Sequence, residues 1–135
     1  MKTKFNLSNI CLIFITGLLI TPLYTAHAAP GQDTLAIHYV GHGSVYFEFN
    51  NKVIHVDPYS VQGDYGSLPD ADIILVTHSH GDHLDGTALD LIQKESTMMI
   101  YNQDSHDENV YSGESTVIAN RDSIVEQGIP VKAVP

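Results

Sequence analysis

One short segment limits what this chain can fold into more than any other. Thr77-His-Ser-His-Gly-Asp-His-Leu-Asp85 follows directly on Asp72-Ile-Ile-Leu-Val76, a continuous apolar run of the kind that forms a strand covered on both faces. Beyond it Ala88, Leu89, Leu91 and Ile92 recur at helical spacing, with Asp85 or Thr87 placed to cap the first turn. A strand therefore leads into a histidine-rich loop, and the loop into a helix. Loops at the end of a rigid strand are where binding and catalytic groups are usually mounted. The spacing His-x-His-x-Asp-His, at His78, His80, Asp82 and His83, is also rare. In chains with eight histidines among 135 residues, chance produces it about once in 500.

Imidazole and carboxylate at this spacing point to metal ligation. Residues two apart on an extended segment face the same way, so His78 and His80 can grip one ion. Gly81 is expected to permit a sharp turn. Asp82 and His83 then face the same cavity from another direction and can hold a second ion. Four ligands within six residues suit two neighbouring ions better than one closed tetrahedron. The plainer alternative is a polar loop, with Asp82 capping the helix and the histidines in solvent.

The flanks read as strands. Thr34 to Val40 is rich in β-compatible residues, and Val45, Phe47 and Phe49 alternate with Tyr46 and Glu48. Asn50-Asn51 is expected as a hairpin turn and Lys52 to Val56 as the returning strand, ended by Asp57-Pro58 because proline cannot donate to a ladder. Gln62 to Asp70 is a turn-rich loop. Downstream, Thr97 to Tyr101 and Ser115 to Ala119 are strand candidates, separated by a polar connection or short helix over Gln103 to Asn109. After a turn at Gln127-Gly128, Ile129, Val131 and Ala133 alternate with Lys132 and Val134 up to Pro135. Met98 and Met99 are expected in core or adjoining strand positions and not at a metal site. His38 and His55, within strand candidates, are expected to be structural, and His106 solvated.

Met1 to Asn9 carries Lys2 and Lys4, Ile10 to Ile20 is apolar, and Ala26-His27-Ala28 precedes Ala29. This is the pattern of a cleavable secretory leader, 1–28, and the apolar stretch falls well short of the ~20 residues that span a bilayer. The expected product is exported, periplasmic or extracellular, and not membrane-bound after cleavage. The only cysteine, Cys11, leaves with the leader, so disulfides and thiolate ligands are excluded from 29–135. Hydrophobic residues at 43% and charged residues at 16% imply a packed core. Losing Lys2 and Lys4 would take the formal net charge from -10 to -12. Such a surface repels phosphate backbones, which argues against nucleic acid as a partner.

The segment Thr77, His78, His80, Asp82 and His83 resembles the metallo-β-lactamase superfamily, whose most specific signature is Thr-His-x-His-x-Asp-His directly after an apolar strand. Gly41-His42-Gly43-Ser44, followed by the strand pair ending in Asp57-Pro58, is similar to the branch containing ascorbate-phosphate lactonase and N-acyl-phosphatidylethanolamine phospholipase. The two matches cover most of Ala36 to Ile92. The resemblance implies an α/β (α+β) fold, the N-terminal half of an αββα sandwich with a mainly antiparallel or mixed sheet and one or two helices. It places the metals at the edge of the two sheets, His78 and His80 on the first, Asp82 and His83 on the second. Asp57 would be a buried carboxylate orienting a ligand histidine. His42 either lines the mouth of the site or only closes a tight strand connection between two glycines.

What the resemblance implies about chemistry is hydrolysis of a small-molecule ester, lactone or phosphodiester by a metal-activated hydroxide, with Asp82 orienting the hydroxide or taking its proton. Zinc is the first expectation, two ions per complete site, with manganese or iron open. Family members take a third histidine, a bridging aspartate and a last histidine from the second half of the domain. After His83 only His106 remains here, and Asp104, Asp107 and Asp122 stand in no bridging motif. The expectation is therefore a truncated domain over 29–135, its last strand left with an unpaired edge. Besides a hydrolase, a non-catalytic metal-binding fragment and a non-functional remnant stay open. Oligomeric state is not legible. If the leader is processed as expected, intact-mass analysis of exported protein finds a chain beginning at Ala29, and a mass retaining residues 1–28 would refute the cleavage.

Overall fold

In the computed structural model, which describes residues 34–108 and 110–135, the strands follow the alternation in the sequence closely. The leader expected at 1–28 lies outside the described residues. Asn50 and Asn51 both sit at positive φ, 50° and 59°, the left-handed pair that a two-residue hairpin needs and that asparagine accepts readily. They join β2 (Ser44–Phe49) to β3 (Lys52–Val56), and β1 (Ala36–Gly41) pairs antiparallel on the other side of β2. From β3 onward the pairing is parallel, through β4 (Ile73–Val76), β5 (Met98–Tyr101) and β6 (Glu114–Val117). Parallel neighbours need crossovers. These are a loop with a 3-10 turn at Tyr65–Ser67, the helix α1 (Gly86–Ile92) and the short helix α2 (Gln103–Asp107).

The period of two along each strand sorts the apolar side chains into two cores. Ile74, Val76, Met99 and Tyr101 face α1 and pack with Ala88, Leu89, Ile92 and Tyr65. Ile73, Leu75, Met98 and Ile100 point the other way, together with Phe47 and Ile54. That second face is covered by a hairpin of β7 (Ser123–Glu126) and β8 (Ile129–Lys132), which contributes Ile124, Ile129 and Val131. The result is a mixed six-stranded sheet with helix on one side and a second sheet on the other, the α/β arrangement expected. Both methionines are in core positions, as expected.

One strand was not anticipated. Ser123–Glu126 pairs with one edge of the last strand across a turn at Gln127 and Gly128, at φ 47° and 83°, and among the described residues the other edge of that strand has no partner strand. Ser-Ile-Val-Glu is too short and too mixed to stand out as a strand by itself.

Two of the histidines are structural. His38, Tyr46 and His55 are register partners across β1, β2 and β3, and their rings stack with centroids 4.2 and 5.1 Å apart. Fully buried His55 donates from Nε2 to the Pro69 carbonyl at 3.0 Å. Burial pushes its imidazole below the ordinary value, against the opposing pull of that hydrogen bond. His38 lies 3.2 Å from Glu48, within ion-pair range but outside hydrogen-bond geometry. His106 is half-exposed on α2, as expected.

At the N-terminal end of β4 the Asp72 carboxylate holds the layers together. It accepts from the Val53 amide and Lys94 Nζ, both at 2.9 Å, with Lys52 Nζ at 3.5 Å. Gln127, in the turn of the β7–β8 hairpin, donates to the Asp72 carbonyl and accepts from Lys52. Burial alone would raise the Asp72 carboxyl, but the Val53 and Lys94 hydrogen bonds and the two lysine charges outweigh it and hold the group below its ordinary value. The folded state therefore binds fewer protons here than the unfolded chain, so the stabilisation is complete above about pH 4 and lost as pH falls through the depressed folded value. Asp72→Ala should cost about 1–3 kcal/mol in urea unfolding. Asp72→Asn should flatten the acid limb of the stability curve, and an unchanged limb would remove Asp72 from this role.

Candidate metal centre

Strand directions decide which loops meet. β3 and β4 are parallel, and β1, antiparallel to β2, runs the same way as both. Their C-terminal ends therefore share one edge of the sheet. Three segments emerge there: the Gly41–Ser44 turn, Asp57 after β3, and the histidine loop after β4.

Asp57 organises this edge. It is 4% exposed and holds φ at 45°, the left-handed region that a non-glycine residue rarely takes. Its amide donates to the Leu75 carbonyl at 2.9 Å and its carbonyl accepts from Ser44 Oγ at 2.6 Å, which fixes the backbone. Its carboxylate accepts three hydrogen bonds, from the Thr77 amide and Thr77 Oγ1 at 2.8 Å each and from His83 Nδ1 at 2.9 Å. Leaving the oxygens of a carboxylate buried this deeply without donors would be costly.

The same network sets two histidine tautomers. A carboxylate can only accept, so His83 carries its proton on Nδ1 and Nε2 is left with a free lone pair. Thr77 has a single hydroxyl proton and gives it to Asp57, so its oxygen accepts from His78 Nδ1 at 3.0 Å. His78 Nε2 is thereby also left free. The rings cluster: His78 lies 3.9 Å from His83 and 4.6 Å from His80, centroid to centroid.

Asp82 is reached from two sides. His42 Nε2 lies 2.9 Å from Asp82 Oδ2 and His83 Nε2 lies 3.6 Å from the same oxygen. The His42 hydrogen bond, with an amide bond and the charges of His83 and His42, holds the exposed Asp82 carboxyl below its ordinary value. Among the described residues, His42, Asp82 and His83 each offer a ligand atom within 4.8 Å of the other two. The structure thus brings all of His78, His80, Asp82, His83, Asp57 and His42 to one edge. The tightest convergence, however, includes His42 and omits the His78–His80 pair.

The loop is held at both ends. The His83 and Leu84 amides donate to the His80 carbonyl at 2.8 Å, Leu84 is buried, and Asp85 caps α1 by accepting from the Thr87 amide. Asp85 also accepts from the Ser60 amide and hydroxyl. Burial would raise its carboxyl, but the Ser60 bonds and the amides of Thr87 and Ala88 keep it low. The turn expected at Gly81 is present, but it does not depend on glycine, since φ there is not positive and a Cβ would meet nothing within 4 Å. Gly43 does constrain the site: a Cβ would stand 3.1 Å from His83 Cε1. Sequence reading singled out the Gly41-His42-Gly43 turn, but nothing in it links Gly43 to a ring 40 residues away. Beside Thr77 a cavity of about 250 Å³ opens between the sheets, lined by Leu75, Ile100, Ile118 and Val131 with Asn102 at its rim.

Helix over sheet over sheet, with imidazole and carboxylate gathered at the sheet edge, defines the class of α/β metal-site sandwiches. More narrowly, the profile of the family described as "Beta-lactamase superfamily domain" matches residues 36–135, and the chain belongs to that family. Among its relatives is a "UPF0173 metal-dependent hydrolase" of Geobacillus sp. (strain WCH70), 36% identical over 70 residues, covering 49% of this chain and 30% of the relative. A protein of the same name from Nanoarchaeum equitans is 33% identical over 66 residues, covering 27% of its length. A crystal structure described as a "Putative metal-dependent hydrolase" from Parabacteroides distasonis superposes with a TM-score of 0.62 at 41% identity, over 67% of this chain and 40% of that one. CmlA, a diiron β-hydroxylase from Streptomyces venezuelae, shares the fold at 16% identity and a TM-score of 0.58. The chain thus spans roughly a third of the length of the curated relatives it matches.

The donor set fits a divalent transition metal. It offers imidazoles whose Nδ1 atoms are engaged in the Asp57 network, a carboxylate beside them, and a buried carboxylate behind His83, the arrangement that orients metal-binding histidines. Asp57→Asn replaces one acceptor by an NH2 that faces the donors of Thr77 and His83. It should cost about 1–3 kcal/mol of stability and weaken zinc binding roughly 10–100-fold. Wild-type zinc affinity in a folded Asp57→Asn chain would refute the orienting role.

Proposed function

We propose that the chain carries the histidine–carboxylate metal centre of an exported, metal-dependent hydrolase acting on a small-molecule ester, lactone or phosphodiester. The observation that supports this most is the Asp57 network, which engages Nδ1 of His83 and, through Thr77, Nδ1 of His78, and leaves His83 Nε2 3.6 Å from Asp82. Zinc is the ion proposed, since imidazole with carboxylate suits it, and two ions are proposed for a complete site. His78 and His80 would hold one and Asp82 with His83 the other. The bound metal would supply Lewis-acid polarisation of the substrate oxygen and a lowered pKa for water.

The remaining work falls to the chain's own residues. Asp57 keeps the His83 proton on Nδ1 and, through Thr77, the His78 proton on Nδ1. Asp82 is a half-exposed carboxylate at the open side of the cluster, able to accept a hydrogen bond from a reacting water or take its proton at Oδ2. The relatives' shared name, metal-dependent hydrolase, is consistent with this chemistry. The activity belongs to proteins about three times longer than the segment matched here, so metal capture and turnover are separate measurements.

The test measures metal content of the purified chain after dialysis against Zn2+, Mn2+ and Fe2+, then hydrolysis of an ester, a lactone and a phosphodiester with and without chelator. Retained zinc that disappears in His78→Ala plus His83→Ala, with chelator-sensitive turnover of one substrate class, is the expected result. Zinc retention without turnover would reduce the proposal to a binding module. No retained metal would overturn it.

A further inference from the structure

We infer that His42 is itself a metal ligand, the third member of a His42–Asp82–His83 set that holds one divalent transition-metal ion. The inference rests on the metal-dependent reading above and adds a ligand supplied by the turn between β1 and β2. The histidine loop by itself provides only Asp82 and His83 for this ion. His42 enters from a segment 40 residues earlier, at the same sheet edge.

The distances suit an ion. Metal–nitrogen and metal–oxygen bonds of about 2.0–2.1 Å in a tetrahedral shell place neighbouring ligand atoms roughly 3.3 Å apart. The separations from Asp82 Oδ2 are 2.9 Å to His42 Nε2 and 3.6 Å to His83 Nε2, one either side of that value. All three groups present a ligand atom within 4.8 Å of the others. Ligation requires the His42 proton on Nδ1, so the ion takes the place of the His42–Asp82 hydrogen bond with little movement of either side chain.

The backbone aims the ring. The β1–β2 register shifts between Tyr39 and Gly41, and an irregularity of this kind at a strand end re-aims the side chain that follows. His42 sits at φ 52° between two glycines. Histidine, like asparagine, takes this left-handed conformation more readily than most side chains, so the turn can hold the ring in place. The ring stands edge-on to His83 at 5.8 Å and to Tyr59 at 6.4 Å. Its half-exposed side chain leaves the ion a route from solvent and open positions for water or substrate.

Binding of Zn2+ to the full chain, measured against a chromophoric chelator, tests this together with the visible spectrum of the Co2+ form and imidazole 15N shifts on adding Zn2+. His42→Ala and His42→Asn should each weaken the ion at least tenfold and alter the cobalt bands, and the wild-type His42 nitrogen resonances should move when zinc is added. His78→Ala plus His80→Ala should leave that His42-dependent ion in place. The asparagine variant keeps the left-handed turn, and the nitrogen shifts are read on the unmutated chain, so a poorly folded alanine variant does not blunt the test. If both His42 variants keep wild-type affinity and spectrum while His83→Ala loses the ion, His42 is not a ligand and the metal-dependent reading survives. A wild-type chain that takes up neither zinc nor cobalt overturns both.

Discussion

The carboxylate of Asp57 is almost wholly buried, and the local structure around the histidine loop follows from how the chain meets its demand for hydrogen-bond donors. Burying an unsatisfied charge costs several kcal/mol. The donors that prevent this are the Thr77 amide, the Thr77 hydroxyl and His83 Nδ1. Each belongs to the segment whose side chains must be placed. The left-handed backbone of Asp57 is a strain of about 1–3 kcal/mol, held by the Ser44 and Leu75 contacts on its own main chain. Those contacts join β2, β3 and β4 at one point, so the group that orients the histidines is fixed by three strands.

Topology explains why a single carboxylate can reach so much. Parallel β3 and β4, with β1 running in the same direction, deliver three loops to one edge of the sheet. β4 is only Ile73–Val76, yet it is tied at both ends by buried or nearly buried carboxylates, Asp72 at its start and Asp57 beyond its end. The Asp72 end also receives Gln127 from the second sheet. The strand that carries the histidine loop is thus restrained at both of its ends. The loop inherits that rigidity through buried Leu84 and the Asp85 cap.

Most of this was legible in the sequence because it is local. Alternation gave β1, β2 and β3, the Asn50-Asn51 turn gave their register, and the helical spacing with Asp85 gave α1 and its cap. The four residues of the His-x-His-x-Asp-His segment announced their chemistry by type and spacing. What escaped was long-range. No spacing rule places His42 within 2.9 Å of Asp82, or Gly43 against the His83 ring, because both depend on how the β1–β2 turn is brought round by pairing two strands away. Gly81 misled in the opposite sense: its neighbourhood suggested a glycine-dependent turn, and the backbone there is one that any residue adopts. β7 was missed because four residues of mixed polarity show no period until a partner supplies one.

Folding and ligand presentation in this loop use opposite nitrogens of the same rings. Nδ1 of His83 and of His78 is engaged in the hydrogen-bond network that satisfies Asp57. Nε2 of His83 faces the Asp82 carboxylate, on the side open to solvent. An imidazole has two nitrogens of different protonation, so fixing one as donor makes the other an acceptor without any further interaction. The ring orientation that a metal would require is therefore established by folding, and the entropy of ordering those side chains is lost before an ion arrives. His42 lacks such an anchor, since its Nε2 is the atom bonded to Asp82 and its ring is half exposed. The site thus combines two histidines fixed through a buried carboxylate with a third, His42, whose ring is held by Asp82 alone.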